Sequence, residues 1–358
     1  MNSTHWKFYA AVRDTWEAMY EDCSSAQRSI DFEQYIFQDD DISKKFAKLF
    51  IEKAKQGVSV RLLCDMVGSA KLYTSPLAEA LRDNGVEVRF FNPISPWRLH
   101  NFTSWFFRNH RKLIIVDGHI GHTGGVGVNS EMEDWRDTDV RISGPVVEQF
   151  QYAFNNMWNM ASVGKFIPFS FPKAYSEGFK VLTNSPRRRQ RFIHRHFIEA
   201  MRGAAEYLYL TTPYFVPDNR FFRTLRSAAR RGVDTRLLIP GYSDVLLVYL
   251  ASRRYFDQAL EAGVKIYLYD SNKVLHAKTA AIDDVWGTVG STNLDNLSFR
   301  FNYEINIAGI ESAFVRRIKG QFLKDLEASR QLILSEWRNR PLLDKIKELI
   351  TWPLDPIL

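Results

Sequence analysis

A pattern that occurs twice constrains this chain more than any other feature. Asn109–Asn129 reads NHRKLIIVDGHIGHTGGVGVN and Leu275–Asn293 reads LHAKTAAIDDVWGTVGSTN, so His110, Lys112 and Asp117 recur as His276, Lys278 and Asp283 at the same intervals. In an extended strand, side chains two apart share a face, which sets each imidazole beside an ammonium. The runs Leu113–Val116 and Thr279–Ile282 suit buried strands, closed by turns at Asp117-Gly118 and Asp283-Asp284. Gly124-Gly125 and Gly290-Ser291 follow, small enough for backbone amides to close on a ligand. Such a pocket suits a phosphate. One His-Lys pair on a strand would most simply be core, but two copies can place a nucleophile and a proton donor on either side of one phosphodiester.

The repeat extends beyond the motif. GVSVRLLCD at Gly57–Asp65 matches GVDTRLLIP at Gly232–Pro240, and GVEVRFFNP at Gly85–Pro93 matches GVKIYLYDS at Gly263–Ser271. In the first half, periodicity predicts a helix with an aromatic face over His5–Asp22, a strand over Arg28–Phe37 and a helix over Asp41–Gln56. A strand over Val58–Cys64, a helix over Pro76–Asn84 and a strand over Val86–Phe91 complete it. The second half repeats the order, with strands over Glu206–Thr212, Val233–Pro240 and Val264–Asp270 and helices over Asp218–Arg231 and Asp244–Ala262. The expected fold is α/β: two homologous α-β-α halves, each a mixed, largely parallel sheet covered by helices, related by a pseudo-two-fold axis around one shared active site. Periodicity is lost over Ser162–Phe179, which sets the halves at 1–165 and 166–358.

The second motif resembles the H-x-K-x4-D-x6-G-S/G-x-N signature of the phospholipase D superfamily at every position: His276, Lys278, Asp283, Gly290, Ser291 and Asn293. The first copy carries Gly127 where the signature has Asn, and Asn129 is the nearest candidate. TTPYFVPD at Thr211–Asp218, the stretch Tyr242–Asp270, NHRKLIIVDG and WRDTDVRISGP resemble bacterial cardiolipin synthases, and the likeness runs from about Ser29 to Phe322. That resemblance implies transfer of a phosphatidyl group from one phosphatidylglycerol to another, with release of glycerol, through a phosphohistidine and with no metal or other cofactor. It implies His110 as nucleophile, His276 as proton donor, and Lys112 and Lys278 on the nonbridging oxygens. Asn293, Ser291 and Asn129 are the implied phosphate-binding residues. Asp117 and Asp283 belong to the catalytic motif but are more often structural. Each ring also needs a carboxylate on its other nitrogen; Glu304 is the candidate in the second half, and Asp139, with Asp137 as rival, in the first.

A net charge of +7 and a pI near 9.2 favour an anionic partner. Aromatic residues mixed with Arg over Pro93–Asn109, the shorter Lys165–Phe171, the amphipathic stretch Pro341–Trp352 and the basic run Arg187–Arg191 suit a surface of anionic phospholipids such as phosphatidylglycerol and cardiolipin. A core or solvated role is the simpler alternative for each, and no nucleic-acid partner is expected. No apolar run reaches the ~18 residues of a spanning helix, no secretory signal opens the chain, and Cys23 and Cys64 read as core residues of a reducing compartment. The expected location is therefore cytoplasmic, peripheral on the bacterial inner membrane. A Lys follows each motif His where a metal ligand would be wanted, so no metal is expected. The competing readings are a phospholipase D using water or another alcohol, a superfamily nuclease, and an inactive membrane-binding module, the last supported by Gly127 alone.

Overall fold

The computed structural model describes residues 4–93, 106–163, 175–186, 190–243 and 245–350. Its first half contributes β1 (His5–Tyr9), β2 (Ser29–Gln34), β3 (Ser59–Asp65), β4 (Glu87–Phe91), β5 (Arg108–Asn109), β6 (Leu113–Val116), β7 (Ile120–Gly124) and β8 (Asp139–Ser143). The second adds β9 (Phe179–Ser185), β10 (Gln190–Arg191), β11 (Tyr207–Thr211), β12 (Phe215–Val216), β13 (Asp234–Pro240), β14 (Lys265–Tyr269), β15 (Thr279–Ile282), β16 (Trp286–Gly290), β17 (Leu294–Asp295), β18 (Asn302–Gly309) and β19 (Ser329–Gln331). The first sheet runs β1-β8-β7-β6-β2-β3-β4, and the second follows the same path as β9-β18-β16-β15-β11-β13-β14, with β10 and β19 at its edges. The two halves are built alike.

Local chemistry explains the elements. Helix α2 (Asp41–Lys55) is capped by Asp40, whose carboxylate accepts from the Ser43 amide. The Gly-Val pairs that open the repeated strands follow helices, and Gly57 and Gly232 take φ of 88° and 92° there, the left-handed exit that a Cβ disfavours. Strands β6 and β15 are buried at every position because each lies mid-sheet.

Three expectations need correction. Parallel pairing is the minority arrangement: in the first sheet it joins only β2-β3 and β3-β4, and β6, β7, β8 and β1 run antiparallel. Parallel neighbours need a helical crossover, whereas β6-β7 and β15-β16 are joined by three-residue turns, Asp117–His119 and Asp283–Val285, the first two residues of each having positive φ. Residues His5–Tyr9 form an edge strand rather than the start of a helix, which begins only at Val12. The open edge of β8 supplies hydrogen bonds that outweigh helical spacing, with Tyr9 opposite Asp139. The helix expected over Asp244–Ala262 is two, Leu246–Arg253 and Phe256–Glu261. The boundary drawn at 165/166, most of Pro93–Asn109, Lys165–Phe171 and the first three residues of Arg187–Arg191 lie outside the described residues.

The halves share one core. Leu113, Ile115 and Val140 of the first sheet pack in a single cluster with Ala281, Val289 and Ile305 of the second, together with Phe150, Phe154, Phe314 and Phe322 from helices Val147–Val163 and Ser312–Leu326. A buried ion pair crosses the same seam, with Arg136 bonded through Nε and Nη2 to Asp325 at 2.9 and 2.6 Å. Cys23 and Cys64 are both free and fully buried.

Candidate active site

The two histidines are positioned by an exchange between halves. Strand β5 leaves the first sheet and pairs in parallel with β18, and the His110 amide then donates to the Tyr303 carbonyl at 3.0 Å. Reciprocally, Leu275 bridges Arg136, and the His276 amide donates to the Arg136 carbonyl at 2.8 Å. The residue after each of those carbonyls is a carboxylate: Glu304 stands 3.0 Å from Nδ1 of His110 through Oε1, and Asp137 stands 2.6 Å from Nδ1 of His276 through Oδ2. Each ring is thus fixed by the opposite half. An aromatic edge completes each cradle, Tyr35 at 4.9 Å from the His110 ring and Trp135 at 5.1 Å from the His276 ring.

The lysines complete the pocket. Lys112 Nζ donates to the His110 carbonyl at 3.0 Å, and Lys278 Nζ to that of His276, lying also 3.0 Å from Nε2 of the His276 ring. Both lysines are 2% exposed. Burial, and then the charge of Lys278, pulls Lys112 down to about 7, while Glu304 and Asp137 act on it in the opposite sense. Charged groups of both halves therefore act on Lys112. Burial and Lys278 push His276 down to about 4, and burial lowers His110 against the opposing pull of Glu304. Glu304 and Asp137 stay below the usual carboxylate range despite complete burial, because burial is outweighed by His110 in one case and by His276 and Lys278 in the other.

Three residues named from the sequence take other roles. Asp139 does not reach His276; it faces His122, with Oδ1 3.6 Å from Nδ1. Register decides this, because Asp139 pairs with Gly124 as Asn306 pairs with Gly290, which leaves Asp137 as the counterpart of Glu304. Ser291 spends its hydroxyl on Glu304 Oε2 and accepts the Ile305 amide at 3.0 Å, so it braces the carboxylate rather than a phosphate. Asn129 caps the turn Ser130–Met132 by accepting from the Glu131 amide, and at Gly127 a Cβ would meet Met132 Sδ at 3.2 Å. Asn293 is buried, with its Oδ1 unpartnered among the described residues. Among those residues, no three His, Cys, Asp or Glu side chains are grouped to hold a metal.

The model of the cardiolipin synthase, PLD-like domain matches the chain twice, over residues 19–158 and 197–326. The chain belongs to that family. It is 36% identical over 361 residues to the major cardiolipin synthase of Bacillus subtilis, covering 97% of this chain and 74% of the relative. It is 34% identical over 354 residues to a cardiolipin synthase A of Pseudomonas fluorescens, covering 96% and 73%. A phosphatidylserine synthase from Haemophilus influenzae shares the fold, with a TM-score of 0.75 at 12% identity over 99% of this chain and 95% of that one.

Within this family's motif the two aspartates have a legible job. Asp117 accepts the amides of Gln27, Arg28 and Ser29 at 2.9, 2.7 and 2.8 Å, and Asp283 those of Ala205, Glu206 and Tyr207 at 2.7, 3.0 and 2.7 Å. They lock each hairpin turn to the strand beside it, at the end of β6 or β15 away from the histidine. At roughly 3.3 Å per residue, five residues put each about 16 Å from its lysine. Asp117→Ala should therefore cost about 2 kcal/mol of stability, since water recovers part of the lost bonding, and leave turnover per folded molecule within about threefold of the parent. Urea unfolding beside a turnover assay checks both.

Proposed function

We propose that this chain is a phosphatidyltransferase of the cardiolipin synthase type, using phosphatidylglycerol as donor and acceptor. The observation that carries the reading is the pair of imidazoles, each held at Nδ1 by a carboxylate from the other half, with two buried ammonium groups beside them. Lys278 Nζ crowds the His276 ring, 3.0 Å from both of its nitrogens, whereas Nε2 of His110 has no bonding partner among the described residues, which supports His110 for attack. In the first step His110 Nε2 bonds to phosphorus, the bond to the glycerol headgroup breaks, and His276 gives its proton to the leaving oxygen. In the second, a headgroup hydroxyl of another phosphatidylglycerol loses its proton to His276 as its oxygen displaces His110. Cardiolipin and glycerol are the products.

Electrostatics fit the order of events. A phosphodiester anion entering between the lysines stabilises every cationic form around it, so the protonated ring that burial disfavours becomes accessible once substrate is bound. This gives a pH dependence with a definite sign. Lys112 holds phosphate only as an ammonium, and its value of about 7 in the free protein makes kcat/KM fall as pH rises through that region. The bound anion restores proton affinity, so kcat should hold to higher pH. Separate profiles of kcat and kcat/KM check this, and coincident alkaline limbs would contradict it.

Among the described residues no helix is long and apolar enough to cross a membrane. Peripheral contact with an anionic lipid surface is supported by Leu246 and Leu247 at 66% and 50% exposed, and by Leu342 and Leu343 at 71% and 62%, on two helices joined through Arg253 and Glu348. Incubating the purified protein with phosphatidylglycerol vesicles tests the function directly. Cardiolipin with equimolar glycerol is the expected outcome; phosphatidic acid in its place would make the protein a hydrolase, and neither product would sink the reading.

A further inference from the structure

Behind the His276 carboxylate lies a chain of ionisable groups that the reaction above does not use. Asp139 follows Asp137 by two residues on the same extended segment. Its Oδ1 is 3.6 Å from His122 Nδ1, His122 Nε2 is 2.7 Å from Asp22 Oδ2, and Arg141 grips Asp22 through Nε and Nη2 at 2.7 and 2.9 Å. Asp137, Asp139 and His122 are each 0% exposed, while the Arg141 side chain is 30% exposed. From Asp139, two residues along the chain from the His276 partner Asp137, the array reaches solvent at Arg141.

The second half supplies an internal comparison. By register, Asn306 stands where Asp139 does, and Thr288 where His122 does. There the groups are neutral and bonded, Asn306 Nδ2 donating to Thr288 Oγ1 at 3.2 Å and Thr292 Oγ1 to Asn306 Oδ1 at 2.7 Å. The same strands pack without charge at these positions, so the fold does not require it. In the first half both Asp139 oxygens and His122 Nδ1 lack a hydrogen-bond partner among the described residues. A buried carboxylate held just beyond bonding distance of an imidazole is costly to keep, and it lies on the side of one catalytic histidine only.

We propose that Asp22, His122 and Asp139 form a positioning array that acts through Asp137 to set how readily His276 takes and releases its proton, giving the two duplicated histidines different roles. The inference rests on the two-histidine reaction above. Burial, with the neighbouring Asp137, raises the Asp139 carboxyl above the usual carboxylate range while His122 pulls it back down. In its ionised form Asp139 places negative charge beside Asp137, compensated by His122, which bridges to Asp22. Burial opposes the charged form of His122, but the nearby Asp139 carboxylate and the bond to Asp22 outweigh this and hold its proton more firmly than in a free imidazole. The other charged or titratable groups facing the array are few. Cys23 lies on α1 (Val12–Ser25) beside Asp22, Lys53 on α2 donates to the Ala26 carbonyl, and Tyr9, with Lys7 over its ring, lies on β1. Strand β6 offers only Ile114 opposite His122.

The test copies the second half into the first. The double variant His122→Thr with Asp139→Asn should fold, because the equivalent positions already accept Thr and Asn. Asp139→Asn, which removes the negative charge and keeps the His122–Asp22 pair, should move the limb of the kcat profile governed by His276 to lower pH by about half a unit to one unit. The double variant, which also removes the compensating His122, should move it the same way by less. The His276 ring titration, followed by NMR in histidine-labelled protein, should move the same way. Should the double variant fail to fold, Asp139→Asn alone decides the matter by that larger shift. Superimposable kcat profiles and an unmoved His276 titration, in a preparation whose parent makes cardiolipin, would overturn the array while leaving the reaction intact. A parent that makes no cardiolipin would instead overturn the reaction on which it rests.

Discussion

His110→Asn is expected to abolish covalent chemistry, whereas His276→Asn should block turnover yet still form the covalent intermediate when the leaving group needs no proton. The distinction follows from the two roles. A nucleophile contributes to every substrate, so its removal should cost roughly four orders of magnitude or more whatever the leaving group. A general acid matters in proportion to the basicity of the leaving oxygen; its loss should cost about 10²–10⁴-fold with a glycerol headgroup and little with p-nitrophenolate. With a p-nitrophenyl phosphatidyl ester in vesicles, His276→Asn should give a burst of p-nitrophenolate stoichiometric with protein, and an acid-labile, base-stable phosphoryl adduct on His110. His110→Asn should give neither. A burst from His110→Asn and none from His276→Asn would exchange the roles, and parental rates in both would end the two-histidine mechanism. Asn is chosen because each position is tied to a carboxylate at Nδ1, and an amide keeps a donor there where Ala would leave Glu304 or Asp137 buried and unpartnered.

Much of this site was legible in the sequence, for reasons of periodicity. The spacing of His276 and Lys278 on an extended segment, the all-apolar run at Leu113–Val116 and the glycine-valine pairs after helices each carry a local physical requirement, and the duplication marks which of them matter twice. What was not legible is register between distant strands. Alternation of apolar residues aligns Val140 and Ile142 with Ile305 and Ile307, which would make Asp139 the partner of Glu304. The pairing of β7 with β8 and of β16 with β18 shifts that alignment by two, with Thr138 standing where the second half has Ile305. A polar residue at that one position concealed the match. The reciprocal service of each histidine by the other half was equally hidden, because it depends on β5 joining β18 in the opposite sheet. The edge strand at His5–Tyr9 failed for a related reason: five residues with three aromatics satisfy either period, and only the open edge of β8 decides between them.

That register shift predicts the second large effect. Asp137→Asn should lower kcat by about 10³–10⁴-fold, since the imidazole loses the acceptor that fixes its tautomer and supports its protonated form. Asp139→Asn, by contrast, should stay within about threefold of the parent at its pH optimum, its effect being on the position of the profile. Gly125→Ala should imitate Asp137→Asn without touching either catalytic ring. A Cβ at Gly125 would sit 2.1 Å from Asp137 Oδ1 and 2.7 Å from its Cγ, so the carboxylate must leave the place from which it reaches His276 at 2.6 Å. The second half reaches the same end differently: Ser291 fits because Glu304, one methylene longer, carries its carboxylate further from the backbone and accepts the Ser291 hydroxyl. Ser291→Ala should therefore cost only about tenfold, one donor of several to Glu304. Turnover on phosphatidylglycerol vesicles, with circular dichroism and melting to establish folding, ranks the four variants. If Asp139→Asn proved more damaging than Asp137→Asn, or if Gly125→Ala turned over like the parent, the cross-half pairing of Asp137 with His276 would be wrong.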